Sequence, residues 1–256
     1  MIKRTILFLA GAALSLSASA AVAAPAVTAK MKAAVADSSR PAADTARDEN
    51  RKPAAMLAFA GVTPGKVVVD MLPGGGYFTR IFATAVAPGG RVYAYFGTQY
   101  DARLKGQNKD PDNQFVDLKA AYKNLGVVHG PLPQFVTPEP VDIVWTSDNY
   151  HDMHNKAYEM DVNDVNKAVF KSLKPGGYYV IIDHKAAESA GDDVTESLHR
   201  AKESTVKKEV EAAGFKLVAE GHDLDNPGDD GSKRVFDNDV RGKTNQFMLK
   251  FQKPRH

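Results

Sequence analysis

The sequence predicts an α/β fold built on one doubly wound, mostly parallel sheet. Short apolar runs rich in β-branched and aromatic residues alternate with segments whose apolar residues recur at helical spacing. Such alternation favours parallel strands joined by right-handed crossovers. The last two predicted strands, 215–220 and 244–251, have no helix between them. We therefore expect the last two strands to form an antiparallel hairpin at one edge of the sheet.

The strands are expected at seven β-rich runs, most of them bounded by Gly, Pro, Asn or Asp. They are 66–72, 91–96, part of 127–136, 141–146, 178–183, 215–220 and 244–251. The runs at 141–146 and 178–183 are the clearest, and the run within 127–136 is the weakest. Seven strands in one chain of this length predict a single sheet, with no internal repeat and no second domain.

Helices are expected where apolar residues recur every three or four positions. They are 53–60, 78–87, 115–125, 162–173 and 194–213. Pro53 stands at the start of the first and Gly61 just past its end, which is the usual asymmetry of helix termini. Residues 97–113 are polar and are expected to form a loop.

The N-terminus has the pattern of a secretory signal peptide. A basic start, 1–4, precedes an apolar run, 5–16, and a small-residue segment with A-x-A sites, 17–24. The apolar run is short for a membrane span. We expect cleavage after the signal peptide 1–24 and export to the periplasm without stable membrane insertion. A flexible lead-in, 25–38, would then precede one domain, 39–256.

Composition excludes two classes of function. Removal of Lys3 and Arg4 leaves 31 basic residues against 31 acidic ones, and this neutral balance argues against nucleic acid as a partner. The chain has 0 cysteines, which excludes disulfides and thiolate chemistry.

The stretch VVVDMLPGGGYFT, Val67–Thr79, is the strongest functional signal. It predicts a strand, a tight glycine turn and the start of a helix. Glycines permit backbone angles that side chains forbid and let a ligand approach the main chain. The first turn of the helix adds unpaired N–H groups. The pattern predicts a ligand crevice at the carboxyl end of the first strand.

Four further stretches follow in an ordered arrangement: DNYHD, LKPGGYYVIIDH, EAAGF and VFDNDVRGKTNQFMLKFQKP. Together with DMLPGGGYFT, they resemble the class I S-adenosylmethionine-dependent methyltransferases over about residues 40–254, and in particular exported bacterial ones. The resemblance implies a Rossmann-like, seven-stranded sheet and S-adenosylmethionine as cofactor. Two positions depart from the family pattern. Leu72 occupies the first glycine position, and Phe96 occupies the position of the ribose-binding carboxylate.

The resemblance also implies a set of site residues. Asp70 and the glycines would hold the methionine end of the cofactor, and Tyr95 and Phe96 would stack on its adenosine. The expected cofactor-binding residues are Asp70, Pro73, Gly74, Gly75, Gly76, Tyr77, Tyr95, Phe96 and Asp148.

The segment after the fourth strand is the expected acceptor side. His151 is a candidate general base near neutral pH, Asp152 would orient its imidazole, and Asn149 offers donors and an acceptor. These three are the expected catalytic residues. The competing interpretation is a polar loop in which Asp148 or Asn149 caps the next helix.

Other sites are less well supported by the sequence. A metal site from His151, Asp152 and His154 would need distant ligands such as Asp183 or His184, and no dedicated metal spacing is present, so none is expected. A nicotinamide dehydrogenase is disfavoured because Thr79 stands where a third glycine or alanine is expected. No P-loop and no G-x-S-x-G motif occur.

Two features further along the chain remain open. The pair His199-Arg200 is expected on a solvated face of the helix 194–213, and the loop 229–243 is either a lid over an anionic substrate or a self-neutralising surface loop.

We therefore expect a single-domain methyltransferase acting on a small molecule. The alternative is a methyltransferase fold that has lost activity and binds a small ligand in the cell envelope, because the methyl donor is made in the cytoplasm.

Overall fold

The computed structural model describes residues 26–106 and 111–255, so the predicted signal peptide, 1–24, lies outside the described residues. The described chain forms one seven-stranded sheet with the order β3-β2-β1-β4-β5-β7-β6. The strands are β1 (Val67–Met71), β2 (Arg91–Gly97), β3 (Leu125–Gly130), β4 (Val141–Ser147), β5 (Leu173–His184), β6 (Lys216–Gly221) and β7 (Gln246–Gln252).

Strands β1 to β5 pair in parallel, whereas β7 runs antiparallel between β5 and β6. The predicted doubly wound sheet with an antiparallel last strand is thus confirmed. The carboxyl ends of β1 and β4, which are neighbours, meet at one edge, where ligands of such sheets bind.

The helices are α1 (Ala29–Val35), α2 (Ala42–Thr45), α3 (Asp48–Arg51), α4 (Pro53–Ala60), α5 (Tyr77–Ala85), α6 (Thr98–Gly106), α7 (Pro111–Ala121), α8 (Val162–Ser172), α9 (Val194–Leu198) and α10 (Glu203–Ala212). Short 3₁₀ helices occupy Leu132–Gln134, His151–His154 and Lys156–Tyr158. No helix within 26–106 or 111–255 is long and apolar enough to cross a membrane.

Two apolar layers cover the two faces of the sheet. On one face, Phe78 and Phe82 of α5 pack on Trp145 of β4, with ring centroids 4.7 and 5.5 Å apart. On the other face, Phe170 of α8 packs on Phe215, which also contacts Tyr179 of β5. Burial of these side chains supplies the main stabilising free energy of the fold.

The sequence predicted a flexible lead-in over 25–38, but the structure places the helix α1 in this segment. The Thr28 hydroxyl caps this helix by accepting from the backbone N–H of Met31 at 3.2 Å. Met31 and Ala34, three positions apart, are buried in the same cluster as Phe82. The packed part of the chain therefore includes α1, because its apolar face finds partners that composition alone did not reveal.

Two other predictions differ from the structure. Residues 97–113 contain α6 and the start of α7 rather than only a loop. The predicted helix 194–213 is broken into α9 and α10, because His199 adopts a left-handed backbone (φ 54°). Arg200, expected on a solvated face, is fully buried and forms an ion pair with Asp229 at 2.9 Å.

Candidate cofactor and acceptor site

Two hydrogen bonds to the main chain of Leu72 fix the turn after β1. Leu72 adopts φ 59°, an angle that glycine takes more readily than leucine. Its N–H donates to the Tyr95 carbonyl at 2.9 Å, and its own carbonyl accepts from Asn149 Nδ2 at 3.1 Å. Its side chain is buried in the apolar layer on one face of the sheet, and the residue also borders the crevice. The departure from glycine at position 72 is therefore accommodated by packing.

The glycines of the turn serve two different purposes. Gly76 has φ 79°, and a Cβ there would lie 2.8 Å from Leu118 Cδ2 and 3.2 Å from Phe115 Cζ of α7. Gly74 has φ 54°, and a Cβ there would meet nothing within 4 Å. Gly76 thus permits close packing with α7, whereas Gly74 leaves bare main chain facing open space.

A cavity of about 210 Å³ lies beside this turn, at the carboxyl ends of β1 and β4. Its walls are Arg47, Arg51, Asp70, Leu72, Pro73, Gly74, Gly75, Tyr77, Phe78, Ser147, Asp148 and Asn149. Most of the predicted cofactor-binding residues are therefore brought together around one space. Gly76 stands next to it as the cap of α5.

Asp70 is buried at the floor of this cavity. Its Oδ2 accepts from the Thr79 hydroxyl at 2.5 Å. Burial raises the pKa of Asp70 to about 7, although the Thr79 hydrogen bond and the charge of Arg51 oppose the rise. Burial disfavours the charged form of Asp70, and a cationic ligand in the cavity would stabilise that form.

Arg47 and Arg51 were not predicted from the sequence. Arg51 Nη2 lies 2.5 Å from Asp148 Oδ2, and Gln246 Nε2 donates to the other oxygen of Asp148 at 2.5 Å. Both arginines also lie over the Tyr77 ring, 4.8 and 4.9 Å from its centroid. No local pattern identifies them, since they precede β1 and reach the cavity only through the fold.

Tyr95 and Phe96, the predicted adenosine contacts, lie in the core. The Tyr95 ring packs on Phe135 at 4.4 Å, on one face of the sheet. The Phe96 ring packs on Phe115 and His129, 5.0 and 5.2 Å away, on the other face. Neither side chain is among the residues that line the cavity beside the glycine turn. Their contact with adenosine stays a prediction.

The acceptor-side loop places His151 on a buried carboxylate. Its Nδ1 lies 2.8 Å from Asp183 Oδ1, and its backbone N–H donates to Asp183 Oδ2 at 2.7 Å. Asp152, the predicted orienting acid, lies 3.4 Å from Nε2 instead. The residue that orients the imidazole is therefore Asp183, which the sequence places 32 positions away.

The charges of these groups are strongly coupled. Burial would lower the pKa of His151, but Asp183, Asp152 and Asp148 together raise it to about 9. Burial by itself would raise the pKa of Asp183, but the adjacent His151 and His184 hold this pKa below its usual value. At neutral pH His151 is therefore protonated, and a protonated imidazole cannot accept a further proton. The role of general base stays a prediction, and this protonation state does not favour it.

The histidines proposed as metal ligands separate in the structure. His154 Nε2 lies 3.2 Å from Glu209 and away from the pair His151 and Asp152. His199, which the sequence predicts to lie on a solvated helix face, lies beside Asp152 instead, with Nδ1 3.5 Å from Asp152 Oδ1.

Comparison with known proteins supports the fold. No family model and no curated protein matches the sequence. A SAM-dependent methyltransferase from Aquifex aeolicus superposes with a TM-score of 0.54 at 19% identity, over 86% of this chain and 96% of the other.

Two further solved structures superpose over most of the chain. A candidate sarcosine dimethylglycine methyltransferase from Galdieria sulphuraria gives a TM-score of 0.58 at 14% identity, over 83% and 88% of the two chains. The [4+2]-cyclase SpnF gives a TM-score of 0.54 at 14% identity, over 84% and 82%. The chain therefore has the class I S-adenosylmethionine-dependent methyltransferase fold.

Proposed function

We propose that this protein is a methyltransferase that uses S-adenosylmethionine and methylates a small-molecule acceptor. The observation that carries the proposal is the cavity beside the glycine turn, where open main chain at Gly74 adjoins Asp70, Arg51 and Asp148. Methyltransferases among the solved structures of the same fold support it.

The charges of the cavity suit the methionine end of this cofactor. Its ammonium group is a partner for the buried Asp70 carboxylate. Its carboxylate is a partner for the remaining N–H donors of the guanidinium groups of Arg51 and Arg47, which already pair with Asp148 and Asp44. Guanidinium groups favour carboxylates because their N–H donors form a planar fork. When bound, the cofactor supplies an electrophilic methyl group on its sulfonium.

The residues of the chain contribute mainly alignment. Methyl transfer is a displacement in which effective catalysis follows from placing two reactants in line. Asn149 donates to the carbonyls of Leu72 and Ser147, 3.1 and 2.6 Å away, and so ties the acceptor-side loop to the glycine turn. This connection would fix the position of the acceptor relative to the cofactor.

Calorimetric titration of the purified protein with S-adenosylmethionine and S-adenosylhomocysteine tests the proposal. We expect saturable micromolar binding that is lost in Gly75→Trp, because the indole would fill the cavity that Gly75 lines. Gly75 does not have a positive φ, so a side chain at this position causes no left-handed backbone strain. Gly106→Trp is the matched control, because open space surrounds that position in α6. Failure of the unmodified protein to bind either compound would favour the alternative, a binding protein for another small ligand.

The acceptor is addressed by a second measurement. Formation of S-adenosylhomocysteine on incubation with mixtures of small hydroxyl, amine and carboxylate compounds would identify a class that is turned over. Cofactor binding without turnover of any class would support a binding protein with an intact cofactor site.

Export is also proposed, from the signal-peptide pattern of residues 1–24. Cell fractionation followed by N-terminal sequencing should recover protein in the periplasm that begins near residue 25. Recovery of the uncleaved chain in the cytoplasm would contradict it.

A further inference from the structure

Three potential metal ligands meet on the acceptor side. His151 and Asp152 lie in the 3₁₀ helix after β4, and His199 follows the end of α9. His151 Nε2 and His199 Nδ1 lie 3.4 and 3.5 Å from the same oxygen, Asp152 Oδ1. All three ligand atoms lie within 4.8 Å of one another. Two neighbouring side chains and a third that lies 47 positions beyond Asp152 thus meet at one point.

The separations between these atoms fit a shared ion. Zinc binds nitrogen and oxygen ligands at about 2.0–2.2 Å, so two ligands in tetrahedral positions lie about 3.4 Å apart. The distances from Asp152 Oδ1 to the two imidazole nitrogens, 3.4 and 3.5 Å, agree with that spacing. The two imidazole rings are nearly perpendicular, at 83°, so their nitrogens approach the point from different directions.

A buried carboxylate fixes the orientation of His151. Asp183, whose side chain is 0% exposed, holds both Nδ1 and the backbone N–H of this residue. The opposite ring nitrogen, Nε2, is thereby directed towards Asp152 and His199. A bound ion would replace the proton that this nitrogen carries in the charged imidazole, so binding would release one proton. A carboxylate on the far side of a histidine ring is the usual second partner of a metal-binding imidazole.

The surrounding charges favour a cation. Asp148, Asp152 and Asp183 all act on His151, and the charge of Arg234 acts on His199 from the loop above it. Arg200, the next residue, is occupied by its ion pair with Asp229. Asp148 is likewise paired with Arg51, so the carboxylates of Asp152 and Asp183 supply the negative charge next to His151.

We propose that His151, Asp152 and His199 bind one divalent first-row transition-metal ion, with zinc as the expected ion. Two imidazoles and one carboxylate form the nitrogen and oxygen set that such ions prefer. Three protein ligands leave a coordination position open, which is typical of catalytic rather than structural zinc sites.

A cavity adjoins one of the three proposed ligands. His199 lines a space of about 660 Å³ together with Asn155, Tyr158 and Glu159, whereas His151 and Asp152 are not among the residues that line it. The metal site itself does not depend on the proposed methyl transfer, since it needs no cofactor.

The test uses untagged full-length protein, stripped with a chelator and dialysed. Titration with Co²⁺ should give visible absorption bands that saturate at one ion per chain, and Zn²⁺ should abolish them. We expect His199→Asn to weaken binding of both ions at least tenfold. Asparagine is chosen because it tolerates the left-handed backbone at φ 54°.

Controls separate this site from other histidines and from the cofactor site. His154→Asn, whose ring pairs with Glu209, should bind Co²⁺ as the unmodified protein does. Asp152→Asn gives a second variant on the partly exposed carboxylate and should also weaken binding. S-adenosylhomocysteine binding, measured on the same metal-free samples, reports separately on the proposed function.

Two results would overturn the proposal. One is the absence of saturable Co²⁺ and Zn²⁺ binding to the unmodified protein. The other is equal affinity of the unmodified protein, His199→Asn and Asp152→Asn for both ions.

Discussion

Arg51 and Asp148 form an ion pair across 97 residues of sequence, with Nη2 and Oδ2 2.5 Å apart. The pair joins α3, which precedes the first strand, to the loop after β4. It closes one side of the cavity beside the glycine turn. The N-terminal helices are therefore part of the candidate site rather than an appendage to the sheet.

We predict that Arg51→Gln lowers the affinity for S-adenosylhomocysteine at least tenfold, measured by calorimetry. A hydrogen bond to a charged group contributes about 1.5–3 kcal/mol, and glutamine cannot supply the charge. Arg91→Gln is the control, because Arg91 is exposed at the start of β2 and lies 3.7 Å from Glu139. Equal affinities of the two variants would show that Arg51 does not hold the ligand.

A second prediction concerns the pH dependence of stability through Asp70. The folded-state pKa of about 7 exceeds the unfolded value of about 3.9. Between these values the folded chain holds a proton that the unfolded chain has lost. This contribution to the free energy of unfolding is therefore full below about pH 4 and falls as pH rises to about 7.

Asp70→Asn removes this titration and keeps an oxygen that can accept from Thr79. The stability of the variant relative to the unmodified protein should increase by up to about 4 kcal/mol between pH 4 and pH 8. Urea unfolding at both pH values measures it, and other titrating groups cancel in the difference. A difference that does not change with pH would contradict the assignment.

The two glycines of the turn should respond differently to alanine. Gly76→Ala adds left-handed strain and a clash with Leu118 at 2.8 Å, so we expect a loss of about 2–4 kcal/mol. Gly74→Ala adds only the strain of φ 54°, about 1–2 kcal/mol. Denaturant unfolding of both variants checks the order, and a larger loss for Gly74→Ala would refute it.

The buried pair of Arg200 and Asp229 should be a strong determinant of stability. Arg200 also donates to the carbonyls of Lys233 and Lys185, at 2.7 and 2.9 Å. Asp229→Asn leaves the guanidinium charge buried without its partner, which costs about 3–5 kcal/mol. Thermal unfolding should show this loss.

A matched control uses the exposed ion pair in the same loop. Lys233 Nζ lies 2.6 Å from Asp239 Oδ2, with both side chains largely in solvent. Lys233→Met should leave the unfolding midpoint unchanged, because exposed ion pairs contribute little. Equal effects of Asp229→Asn and Lys233→Met would mean that the loop is not anchored through Arg200.

The sequence predicted features that depend on local pattern. Alternation of apolar runs predicted the parallel strands, and the glycines of Val67–Thr79 predicted the turn at the end of β1. It did not predict α6, because the polar residues of 98–106 carry only a weak apolar periodicity. The sequence also predicted one helix where the structure has α9 and α10, because no local pattern indicates that His199 adopts a left-handed backbone.

By itself, then, the sequence determined the fold class and the location of the crevice, because strand and helix periodicity and glycine turns act over a few residues. Only the tertiary structure decided which side chains complete the site. Arg51 reaches Asp148 and Asp183 reaches His151 across 97 and 32 positions. Phe96 turns into the core, and His199 replaces His154 beside Asp152. Such contacts arise from the crossing of distant segments at one sheet edge, and no spacing along the chain encodes them.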